Sequence, residues 1–121
     1  MATPASAVRF AGILDPHEVL DYLIPLGPVL EEGETATTYS LDLLPEAVAL
    51  GLTIMSGSGR DHALVEGGTA ISMWLTVDDA FQDDAAFDGA GTALPMQFTI
   101  ETNSNPARTR QRTFLAGVAQ Q

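Results

Sequence analysis

Cysteine is absent from this chain, and so is lysine; its five cations are all arginine. Without cysteine there are no disulfides and no thiolate-metal sites, which fits a reducing compartment or assembly in a cytoplasm. Without lysine there is no Walker loop and no Schiff-base nucleophile. No window of 18 apolar residues occurs, so no helix is expected to span a membrane. Residues 1–6 lack the basic and apolar regions of a signal peptide and are expected to be loose. No Gly-x-Ser-x-Gly surrounds any serine, since Ser56-Gly57-Ser58-Gly59 lacks the first glycine and a following helix. Dinucleotide fingerprints, EF-hand spacing and internal repeats of 20–50 residues are missing as well. The expectation is a chain that is not an enzyme and carries no cofactor.

What is present is acid. Sixteen carboxylates face five arginines, for a formal net charge of −11. Such a charge repels phosphate backbones, so nucleic acid is not an expected partner. All sixteen acids lie between Gly12 and Glu101, with Arg60 as the one cation among them. Residues 102–121 carry three arginines and no acid. This suggests a negative body with a positive tip, suited to head-to-tail contact between copies or to docking on a charged protein. Plain solubility is the competing explanation.

The hydrophobic pattern has period two. Residues 7–14 are apolar apart from Arg9 and suit a short edge strand. Asp15-Pro16 marks a turn. Residues 18–24 read as a strand with Leu20, Tyr22 and Ile24 facing the core. Residues 35–43 and 70–77 read as strands too, the second with Ile71, Met73, Leu75 and Val77 on one face. Short strands are expected over residues 52–55 and 62–66, and one helical turn at Pro45. Glu31-Glu32-Gly33-Glu34 forms an acidic turn. Residues 78–93 read as an acidic excursion loop with at most a turn or two of helix. Many short strands without a long 3.6-period segment predict an all-β, single Ig-like sandwich of about seven or eight antiparallel strands. Residues 1–13 are expected to form an arm or edge strand, and residues 14–121 the sandwich.

The closing hairpin concentrates the candidate contact residues. Met96, Phe98 and Ile100 alternate with polar residues, and a loop containing Asn103 and Asn105 follows. Arg108, Arg110 and Arg112 then share spacing with Phe114, Ala116 and Val118. Arginines cannot occupy a core unpaired. Either a bulge shifts the register before Phe114, or the arginines project beyond the end of the sandwich. Guanidinium forks suit carboxylates, on a partner or on this chain. Trp74 points away from the core face of its strand, as a contact residue or under a covering loop. Each histidine has nearby acids: Asp15 and Glu18 for His17, Asp61 and Glu66 for His62. Both sit in turn-like stretches and are expected to be structural. The aspartates at 78, 79, 83, 84 and 88 are weighed as divalent-ion ligands against a solvated loop.

Four motifs in order resemble small β-sandwich proteins of tailed bacteriophages, the fiber–tail adaptor or minor virion proteins. Asp15-Pro16-His17-Glu18-Val19-Leu20-Asp21-Tyr22 is similar to their opening Asp-Pro-x-Glu-x-Leu-Asp-Tyr strand. Leu30-Glu31-Glu32-Gly33-Glu34-Thr35 is similar to their Leu-x-x-Gly-Asp-x turn. Gly51-Leu52-Thr53-Ile54, followed by Gly67-Gly68-Thr69, resembles a further pair, and residues 102–114 resemble their closing hairpin. Asn105-Pro106-Ala107 stands where a glycine turn is usual, and a tryptophan common after the first strand is missing. The resemblance implies a non-enzymatic virion component, assembled in the host cytoplasm as a symmetric homo-oligomer. Its partners would be other virion proteins of tail, neck, fibre or capsid. A capsid cement protein on the same fold is the alternative, and a carbohydrate-binding module or hydrolase using Trp74 a second.

Overall fold

The structure, a computed structural model, describes residues 8–121; the expectation for residues 1–6 lies outside them. Eight strands form two sheets. They are β1 (Val8–Leu14), β2 (Leu20–Pro25), β3 (Ala36–Leu43), β4 (Leu52–Ile54), β5 (Ala63–Val65), β6 (Ala70–Val77), β7 (Thr92–Thr102) and β8 (Thr109–Val118). The first sheet has the order β1-β8-β7-β3, and β1 runs parallel to β8. In the second, β6 is central, with β2 along one edge and β4 then β5 along the other. The all-β sandwich expected from the alternation is what forms.

Alternation explains the strands. On β6, Ile71, Met73, Leu75 and Val77 are buried, while Ser72, Trp74 and Thr76 are half-exposed. Across the core, Leu94, Met96, Phe98 and Ile100 of β7 meet them, with Phe114, Ala116 and Val118 of β8 alongside. Phe98 and Phe114 lie with ring centroids 5.2 Å apart. Each of these side chains other than that of Ala116 contributes roughly 1.5–3 kcal/mol on burial. On β2 the inward positions are Leu20, Tyr22 and Ile24, while Asp21 and Leu23 face solvent.

The two sides of the sandwich differ. On one, β1 and β2 are the sheet edges. On the other, β3 faces β4 and β5. A single turn of helix, α1 (Pro45–Ala49), joins β3 to β4 there, with proline in its first turn and Ala47 buried beneath it. The acidic excursion contains two 3-10 turns, Asp79–Phe81 and Ala85–Phe87, and β7 begins at Thr92. The Asp84 carboxylate accepts the Ala86 N–H at 2.9 Å and starts the second turn. Phe87 that follows is fully buried and closes this end of the core. Gly91 leaves the loop at φ +71°, where an added Cβ would strike the Val118 carbonyl oxygen.

Candidate functional site

The hairpin register runs unshifted from Thr92 opposite Val118 to Glu101 opposite Thr109. There is therefore no bulge before Phe114. Arg112 stands opposite Phe98 and Arg110 opposite Ile100. Opposed residues of an antiparallel pair share a face, so both arginines leave the strand on the core side. Phe98 and Ile100 are buried, yet Arg112 is exposed and Arg110 about one-third exposed. The cover over β8 ends between Phe114 and Arg112. The arginines thus stand at the end of the sandwich.

The acidic turn folds over them. Gly33, at φ +76°, lets the chain reverse, and Glu34 donates its N–H to the Glu31 carbonyl at 2.9 Å. The Arg108 guanidinium donates to Glu34 Oε2 at 2.8 Å. Glu34 and Thr102 are the buried polar residues among the described ones. The Glu31 N–H donates to Glu34 Oε1 at 3.0 Å. That bond, with the Arg108 guanidinium and the Ser104 and Thr102 hydroxyls, holds the Glu34 carboxyl at about 2, from an ordinary 4.5, against the opposing cost of burial. Arg110 pairs more loosely, its Nη2 lying 3.4 Å from Glu31 Oε1. Its Nε is buried without an acceptor. Arg112 donates to the neighbouring Gln111 carbonyl at 2.8 Å and makes no ion pair among the described residues.

The expected positive tip is therefore corrected. Three carboxylates, Glu31, Glu32 and Glu34, share this end with Arg108, Arg110 and Arg112. Charges far apart in sequence cancel in space. What remains is a pinned guanidinium, a half-satisfied one and an open one, side by side.

The other candidates separate. Asn103 accepts the Thr35 N–H on Oδ1 at 2.9 Å and donates its own N–H to the Thr35 carbonyl at 2.9 Å. It ties the hairpin loop to the start of β3. Asn105 is exposed at the loop tip, before the cis-bonded Pro106. Trp74 lies elsewhere, on the outer face of the second sheet, with the Arg60 guanidinium 5.3 Å from its ring centroid. The loop carrying Arg60 is its partial cover. Neither histidine ring pairs with an acid beside it in sequence, although the His17 N–H donates to Asp15 Oδ1 at 2.8 Å. His17 Nε2 lies 3.1 Å from Asp83 Oδ1, and His62 Nδ1 lies 2.7 Å from the Tyr39 hydroxyl. That hydroxyl also donates to the His62 carbonyl at 3.0 Å. Burial pushes the Tyr39 hydroxyl pKa up. In the excursion, Asp78 accepts from Thr53 at 2.8 Å and Asp79 from Gln82 at 3.1 Å. Among the described residues no three His, Cys, Asp or Glu side chains gather as a metal set.

Glu31 and Glu34 are the site residues that sequence reasoning missed. The signal available was a Gly-containing acidic turn in a chain whose three hairpin arginines have no acid beside them in residues 102–121. Compared with protein-family models, with curated proteins and with solved structures, the chain matches none.

Proposed function

We propose that this chain is a non-enzymatic structural component of a tailed-bacteriophage virion. It acts as an adaptor joining tail or neck to fibres or neighbouring tail proteins by surface contacts between several copies. The observation that carries the docking role is Arg112, open on the core-side face of β8 beside the pinned Arg108 and the loosely paired Arg110. The planar guanidinium fork loses less freedom per hydrogen bond on meeting a carboxylate than an ammonium does, which favours binding. The ordered motifs of the opening strand, acidic turn and closing hairpin support the virion assignment. The strand order, with β1 parallel to β8 and β6 between β2 and β4, supports an Ig-like reading of the sandwich. Arg60 over Trp74 disfavours a sugar-stacking role for that ring.

The test is mass spectrometry of purified particles from the phage that encodes the chain. It is expected in them at a ring's worth of copies, roughly six to twelve. Hundreds of copies would favour a capsid cement protein, and absence from particles would overturn the assignment. Arg112→Glu is expected to lower its incorporation while leaving the fold intact.

A further inference from the structure

Beside β3 the sandwich is open. β3 is the last strand of its sheet, and no strand pairs with its outer edge among the described residues. Such an edge is a template for a further strand. The Leu44 N–H donates to the Pro95 carbonyl of β7 at 3.1 Å. Main-chain groups alternate in direction along an antiparallel strand, so the N–H and C=O of Leu43 and Leu41 point away from β7. The side chains of these two leucines face inward and are half-buried against the core, while Asp42 between them is exposed. Between this edge and β4 lies a groove of about 480 Å³, lined by Leu41, Leu43, Val48, Leu52 and Ile54. Its size falls within the roughly 300–1,000 Å³ of ligand pockets. Asp42 and Asp78 belong to its lining and no cation does; the helical turn beside it adds Glu46. Toward the arginine end the seam is closed by the Tyr39 hydroxyl, which meets His62 Nδ1 at 2.7 Å and donates to the His62 carbonyl. The free edge is therefore short and centred on Asp42.

We infer that this groove takes an extended segment of another protein, added to the edge of β3, with the pattern apolar–cation–apolar. Three observations each fix one property. The outward N–H and C=O of Leu41 and Leu43 call for a main chain in extended form. Opposed residues of paired strands share a face. The residues opposite Leu41 and Leu43 therefore enter the groove against Val48, Leu52 and Ile54, and are apolar. The residue opposite Asp42 stands on the outer face, beside a carboxylate that makes no ion pair among the described residues, and is Lys or Arg. Asp78 and Glu46 continue the acidic border. Each copy of this chain carries a net charge of −11, and that mutual repulsion favours a basic foreign segment over a second copy. The site is separate from Arg112, since β7 lies between β3 and β8, and it rests on no part of the virion reading.

The experiment titrates the isotope-labelled full chain with two acetylated and amidated peptides, Thr-Val-Lys-Val-Thr and Thr-Val-Glu-Val-Thr. Each is taken to roughly 1 mM, the weak end of specific binding. The lysine peptide is expected to shift the Leu41, Asp42 and Leu43 amide signals and to slow exchange of the Leu41 and Leu43 N–H. The Arg110 and Arg112 amides are expected to stay where they are. The glutamate peptide is expected to bind about fivefold or more weakly, and Asp42→Lys, at an exposed position, to reverse that order. No shift with the lysine peptide, or shifts centred on the arginines, would overturn the inference. Equal binding by Thr-Val-Val-Lys-Thr, whose alternation is broken, would do so too, because the contact would not be strand addition. Leu41 and Leu43 amides that become protected as the chain is concentrated without peptide would place a second copy in the groove and overturn the foreign segment. If Asp42→Lys loses its fold, wild type still decides: equal affinity for the lysine and glutamate peptides would contradict the cation opposite Asp42.

Discussion

The closing hairpin carries one alternation along its length and uses it in two ways. Toward Val118, the core-side positions of β8 hold Phe114, Ala116 and Val118, all buried, while those of β7 stay buried from Leu94 as far as Ile100. Toward its loop, the same side of β8 holds Arg112 and Arg110, one exposed and one partly so. Strand parity assigns a face; the extent of the opposing cover decides whether that face is core. The covered half binds the molecule together. The uncovered half is held by polar pins, Arg108 to Glu34 and Asn103 to Thr35, and leaves Arg112 available.

Truncation in the covered core should have the largest effect. Phe98→Ala removes a buried ring that meets Phe114 and is expected to cost roughly 3–5 kcal/mol, read from urea unfolding. In the pinned half, Glu34→Gln should lower the unfolding midpoint by less than Phe98→Ala does. Its main mark is expected to be local: faster amide exchange over residues 102–109, with the β6 amides unchanged. An equal loss of protection in β6 would mean that the two halves are one unit.

The third comparison uses pH. The folded Glu34 carboxyl titrates at about 2, below its ordinary 4.5. Its contribution to stability is therefore whole above about 4.5 and is lost as pH falls toward 2. Asp15, held below its ordinary range chiefly by the His17 N–H and then by that of Gln121, works in the same direction. Wild type minus Glu34→Gln isolates the first. That difference should shrink steadily between pH 4.5 and 2, and a difference independent of pH would show that the pin is not ionic. The smallest effect is expected from Arg112→Ala: a stability change within about 0.5 kcal/mol, because the side chain is exposed and makes no ion pair among the described residues.

The strands were legible because alternation is local. The expected strand over residues 70–77 is β6 to the residue, and the strand expected from residue 35 starts one later, at Ala36. The strand expected at Glu18 begins at Leu20, since Glu18 donates its N–H to the Asp15 carbonyl and is still part of the preceding turn. The acidic excursion was also legible from composition, but the burial of Phe87 within it was not. What escaped was long-range pairing. Arg108 finds Glu34 across 74 residues, Asn103 finds Thr35 across 68, and His17 finds Asp83 across 66. Nothing local selects among sixteen acids; only the meeting of the acidic turn with the hairpin end does. The arginine register was undecided for the same reason. Parity was plain, but where the cover over β8 stops depends on the other sheet.

The most direct test follows one variant through two readings of a single preparation. Arg112→Ala should unfold at the wild-type urea midpoint and yet be depleted from assembled particles. Depletion with an unchanged midpoint is what an open docking guanidinium predicts. Full incorporation, or a midpoint lowered as far as that of Phe98→Ala, would contradict the division of the core-side face of β8 into a covered core half and an uncovered contact half.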